Sequence, residues 1–120
     1  MASELEIVRG TLDLLILKSL AGGAAHGYAV ARWIEWATGD ALRVGEGSLY
    51  PALQRLETRG WVRAEWGASE ANRRAKFYTL TREGRAQLRV ELDTWARFTQ
   101  AVQRALEAPV PMPVAAREAS

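Results

Sequence analysis

Gly47-Ser48-Leu49-Tyr50-Pro51-Ala52-Leu53-Gln54-Arg55-Leu56-Glu57-Thr58-Arg59-Gly60 reads as a helix with both of its ends written into it. Leu49, Leu53 and Leu56 are four and three apart, which puts them on one buried face of a helix. Ser48 is placed to cap the start, since its hydroxyl accepts a bond from an orphan backbone N–H. Pro51 then falls in the first turn, where a missing N–H costs little. Ser48, Pro51, Gln54, Arg55, Thr58 and Arg59 lie largely on other faces, and Gly60 closes the helix. Residues 61–66 and 75–80 alternate in character and read as two strands, with the polar stretch 67–74 as a hairpin loop between them.

Outward from this unit, residues 5–21 read as a helix. Leu5, Val8, Leu12, Leu15 and Leu20 recur at spacings of three to five, and Ile7, Leu14, Ile16 and Leu17 fill further faces. A helix apolar on so many sides needs cover on more than one of them, from its own domain and from a second subunit. Gly22-Gly23 stops it. A second helix runs from about Gly27 to Ala37 with a stripe of Tyr28, Val30, Ala31, Trp33 and Ile34. Trp33 and Trp36 are read as packing residues, and Thr38-Gly39-Asp40 ends the helix with turn chemistry. Residues 42–44 form an extended connector.

Thr81 caps a final helix that runs to about Leu106. Leu88, Trp95 and Val102 are seven apart, as are Leu92, Thr99 and Leu106, and the second set follows the first by four. This is an a/d seam with one polar member, widened by Phe98, and such a seam packs on a partner helix. The proline-bearing residues 108–120 are expected to be disordered.

Three helices, a β-hairpin and a long helix make a mainly α fold with a small hairpin: a winged helix-turn-helix domain over residues 1–80, a dimerisation helix over 81–107 and a tail over 108–120. In this layout the third helix enters a major groove of double-stranded DNA and the hairpin is the wing. Arg73 and Arg74, with Asn72 and Lys76 beside them, fall where a wing meets phosphates. The net charge of the whole chain is only +2, but residues 43–85 hold nine cations against five anions. That excess matters if the fold gathers it on one face.

Other classes find little support. With no cysteine there is neither a disulfide nor a thiolate metal site. Met1-Ala2-Ser3-Glu4-Leu5-Glu6 lacks the basic start and apolar run of a secretion signal. The longest apolar stretch, near residues 14–17, is too short to cross a bilayer. A cytoplasmic chain without cofactor, metal or membrane partner is the expectation. His26 is the single histidine and reads as a capping or packing residue. No motif organises a nucleophile, and Gly45-Glu46-Gly47 lacks the strand and helix spacing of a phosphate loop, so an enzyme is not expected.

Four segments in order carry a resemblance: Arg9-Gly10-Thr11-Leu12-Asp13 leading into Leu14-Leu15-Ile16-Leu17; His26-Gly27-Tyr28; Gly47 to Glu57 as quoted above; and Tyr78-Thr79-Leu80-Thr81 followed by Gly84. Together they resemble the PadR family of bacterial transcriptional regulators over roughly residues 8–100, in its shorter subfamily with a single C-terminal helix. The resemblance implies a homodimer, usually a repressor, on a pseudo-palindromic operator. It matches Tyr50 and Pro51 to the family's Tyr-Pro pair, Ser48 to a small hydroxylic position, and Tyr28 to a tyrosine that approaches the DNA backbone. In the wing, Ala71-Asn72-Arg73-Arg74-Ala75-Lys76 stands where members often carry Gly-Arg-Pro-Arg-Lys. Some members bind planar aromatic or cationic drugs between their subunits.

Each candidate has a plainer alternative. Tyr50 bonds a phosphate or packs beside Leu53. Gln54 and Arg55 read adenine and guanine edges or are solvated. Arg73, Arg74 and Lys76 meet the DNA or form a charged surface. Leu88, Leu92, Trp95, Phe98 and Val102 fill a dimer core, or Trp95 flanks an effector cavity within it. Trp61 and Trp66 cover the hairpin. A protein-interaction module on the same fold is the alternative function, because fold does not fix function.

Overall fold

The computed structural model describes residues 10–111. The expected first turn of the opening helix and most of the expected disordered tail lie outside the described residues. Within them, α1 (Thr11–Ser19) continues into a 3₁₀ turn (Leu20–Gly22), followed by β1 (Ala25–His26), α2 (Gly27–Ala37), α3 (Glu46–Thr58), β2 (Val62–Ala68), β3 (Arg74–Leu80) and α4 (Arg82–Glu107). The sheet is antiparallel in the order β1-β3-β2. This is the winged helix expected, with one strand more than the hairpin. The extra strand is two residues long, too short for alternation to reveal, and pairs Ala25 with Tyr78 and His26 with Phe77.

One core joins the elements. Ile16, Leu17 and Leu20 pack with Val30 and Ile34 of α2, Leu49, Leu53 and Leu56 of α3, Val62 and Leu80 of the hairpin, and Leu88 of α4. The leucine spacing of α3 therefore marks its buried face, as its periodicity dictates. α1 touches α2, α3 and α4, so much of its many-sided apolarity is covered within the chain.

The ends of α3 differ in how they follow the sequence. Gly60 takes a left-handed φ of 78°, its N–H bonds the Glu57 carbonyl, and the Trp61 N–H reaches back to Leu56. Both bonds satisfy orphan carbonyls, as a glycine after a helix end allows. At the other end Ser48 is not the cap. Gly45 holds that position in extended geometry, its carbonyl accepts from Ser48 and Leu49 N–H groups, and the helix begins at Glu46. Pro51 consequently sits in the second turn, where its ring removes one i→i−4 bond. Two other caps match expectation. His26 Nδ1 accepts from the Ala29 N–H at 3.1 Å, and Thr81 Oγ1 accepts from the Gly84 N–H at 3.0 Å.

The hairpin turn is shorter than residues 67–74. Ser69 and Arg73 close it, with Asn72 left-handed at φ 58°. A three-residue turn ending in a left-handed residue suits the twist of the strands, and asparagine tolerates that conformation. Arg74 is thereby a strand residue, opposite Ala68. Trp36 also departs from expectation: it is 76% exposed, because the stripe of α2 that faces the core runs through Val30, Ala31 and Ile34.

Candidate nucleic-acid interface

Side chains alternate across a strand, so Val62, Ala64, Trp66 and Ala68 share one face with Leu80, Tyr78, Lys76 and Arg74 opposite them. At the base of the hairpin this face is core: Val62, Tyr78 and Leu80 are buried. Toward the tip it opens into a cleft whose other wall is α3. The cleft gathers Tyr28 from α2, Tyr50 and Gln54 from α3, and Trp66, Arg73, Arg74 and Lys76 from the hairpin, over a floor that includes Tyr78.

Tyr50 lies against the first residue of α2. A Cβ on Gly27 would stand 2.8 Å from Tyr50 Cε1 and 2.9 Å from its hydroxyl, so the ring occupies the space that only glycine leaves. The Arg32 guanidinium lies 5.9 Å from the centre of the Tyr28 ring. Lys76 Nζ pairs with Glu57 Oε1 across the cleft at 3.6 Å and stands 6.0 Å from the Tyr78 ring centre. Burial pushes the Tyr78 phenol above its ordinary value of 10.0, and the Glu57 charge and Tyr50 push the same way. The Arg74 guanidinium covers the Trp66 indole at 4.7 Å.

Tyr28, Tyr50, Gln54, Arg73, Arg74 and Lys76 thus converge. Ser48 and Pro51 are exposed on α3 but do not line the cleft. Arg55 turns away from it: its Nη2 donates to Asp13 Oδ1 at 2.7 Å, and Arg59 adds a contact to the other oxygen at 3.8 Å. Its charge is neutralised within the fold, tying α1 to α3. Asp13 stands in the sequence reading only as part of a motif, with no role of its own. Its signal was there, since a carboxylate on a helix otherwise rich in leucine needs a cation where it is buried. Gly27 and Trp66 complete the set of residues whose part emerges only in three dimensions.

His26 caps α2, and its ring meets Phe77 edge-on at 5.3 Å. Among the described residues, no group of three His, Cys, Asp or Glu side chains is placed to hold a metal, and no helix is long and apolar enough to cross a membrane.

Along α4, Leu88 is only 8% exposed and belongs to the domain's own core, unlike the rest of the seam. Leu92, Trp95, Phe98, Val102 and Leu106 are exposed. Thr99 Oγ1 donates to the Trp95 and Ala96 carbonyls at 3.0 and 3.1 Å, so the one polar residue of the seam is satisfied by its own helix. Trp95 and Phe98 rings lie 6.1 Å apart and, with Thr11, Leu14 and Val90, line a groove between α1 and α4.

The sequence model of the PadR-like family of transcriptional regulators matches residues 16–90, most of the chain. The chain belongs to the PadR-like family of transcriptional regulators. It is a DNA-binding regulator of transcription and not an enzyme. Solved structures agree. A PadR family regulator from Eggerthella lenta is 31% identical, with a TM-score of 0.71 over 84% of this chain and 86% of that one. A transcriptional regulator from Clostridium thermocellum is 28% identical, with a TM-score of 0.74 over 81% of this chain and 94% of the other. A 37.1 kDa protein in a transposon of Streptomyces fradiae is 39% identical over 99 residues, which are 82% of this chain and 26% of that protein.

Proposed function

We propose that this PadR-like regulator is a homodimeric repressor that holds a pseudo-palindromic operator in the clefts between α3 and the hairpin. The convergence of Tyr28, Tyr50, Gln54, Arg73 and Arg74 in one cleft supports this most directly. Residues 1–80 form the DNA-binding unit and residues 81–107 the dimerisation helix. Each α3 enters a major groove, where Gln54 faces base edges, with the two readers about 34 Å apart, one turn of DNA. Tyr28, Tyr50, Ser48 and Pro51 lie against the sugar-phosphate backbone, while Arg73 and Arg74 grip the flank. The exposed seam of Leu92, Trp95, Phe98 and Val102 packs on its copy in the partner subunit. A planar aromatic effector entering beside Trp95 and Phe98 changes the angle between the subunits and so the spacing of the readers.

Fluorescence anisotropy of a labelled duplex from the gene's own upstream region, titrated with protein, tests the operator reading. Saturable binding tighter than to a scrambled duplex is expected. Equal binding to both would reject specific recognition at that site. Binding to neither at low salt would favour the protein-interaction alternative. In the same assay an aromatic effector must lower affinity; no change across a panel of planar aromatic compounds would reject that part.

A further inference from the structure

The cations of α3 and the hairpin are held in different ways. Arg55 is tied to Asp13 and Lys76 to Glu57, so each is ordered by a carboxylate that also cancels its charge. Among the described residues no carboxylate is within ion-pair distance of Arg74. Its partner is the face of Trp66, 4.7 Å from the guanidinium carbon. An aromatic face attracts a cation through its quadrupole and orders it without neutralising it.

Register makes the stack possible. Arg74 sits directly opposite Ala68, whose methyl leaves the space above the strand open, and Trp66 is its diagonal neighbour on the same face. Lys76 is directly opposite Trp66 but is drawn across to Glu57, which leaves the indole to Arg74. The tight turn with left-handed Asn72 fixes this register. Trp66 nonetheless remains 59% exposed, a large apolar side chain that the core does not use. Both members of the pair line the cleft.

The geometry points to Trp66 as a positioning residue for DNA binding: it holds the Arg74 guanidinium in place, with no carboxylate against it, for a phosphate or a groove edge. This rests on the reading of the cleft as the DNA site. Preorganising a long side chain removes part of the entropy lost when it is immobilised at an interface.

The test is a double-variant cycle on the upstream duplex, with thermal melts alongside. Trp66→Leu keeps apolar bulk and removes the ring face, and it is expected to weaken binding about three- to tenfold. Trp66→Phe retains a ring and is expected to recover most of that loss. In an Arg74→Ala background Trp66→Leu is expected to have no further effect, because its partner is gone. Wild-type affinity in Trp66→Leu, or Trp66→Phe as weak as Trp66→Leu, overturns the proposal. So do fully additive losses, which would give Trp66 a DNA contact of its own. If Arg74→Ala itself binds like wild type, the cleft reading fails; if Arg74→Ala is weak and Trp66→Leu is not, the positioning role alone fails.

Discussion

At Asp13 a buried carboxylate faces two guanidinium groups, Arg55 of α3 at 2.7 Å and Arg59, just past its end, at 3.8 Å. Removing the nearer cation leaves the charge in a poor environment. Arg55→Ala is therefore expected to lower unfolding free energy by about 1–3 kcal/mol, read from denaturant melts, with a smaller effect from Arg59→Ala. If Arg55 instead reads a base, its loss changes sequence preference more than stability. Tyr78 offers a pH test. Its phenol is raised above 10.0 by burial first, and then by Glu57 and Tyr50. The folded chain thus keeps a proton that the unfolded chain releases. Stability from this group is complete below the ordinary tyrosine value and is lost as pH rises through the raised one. Ultraviolet titration should show one tyrosine ionising late, and Tyr78→Phe should remove that late step.

At the scale of elements, the contact between α2 and α3 depends on Gly27. Gly27→Ala drives a methyl into the far edge of the Tyr50 ring, which is half exposed and can swing aside, so stability is expected to fall by less than about 1 kcal/mol while operator binding weakens as Tyr50 shifts. If the loss of binding acts through that shift, Gly27→Ala in a Tyr50→Ala background should weaken binding no further. α4 carries the second prediction. Its 26 residues span about 39 Å, and beyond Leu88 its apolar seam is exposed. Leu92→Glu with Val102→Glu should convert a sedimenting dimer into a monomer without unfolding the domain. Much of this arrangement was legible in the sequence, because helical spacing in Leu49, Leu53 and Leu56 and the glycine at 60 act locally. What was not legible depends on distant partners. β1 exists only because β3 offers it an edge. The ion pair of Arg55 could not be foreseen because its partner lies 42 residues away in sequence. Leu88 fits the seam by spacing yet packs inward, since the first turns of α4 lie on the domain and the later ones leave it.

The described residues form an elongated body, 73 × 37 × 21 Å with a radius of gyration of 19.2 Å, against about 14 Å for a compact chain of similar length. The projecting α4 accounts for the shape and places the apolar seam apart from the cleft. That separation lets one surface join subunits while another meets DNA. The modest net charge of +2 fits a protein whose electrostatic grip is local rather than spread over its surface. The most direct test of that grip is the slope of log affinity against log salt on the upstream duplex, for the wild type and for Arg73→Ala/Arg74→Ala. If the hairpin arginines meet phosphates, the double variant binds more weakly and its slope is shallower by about two, with the melting temperature unchanged. Identical slopes and affinities for the two proteins would contradict the assignment of this cleft as the DNA site.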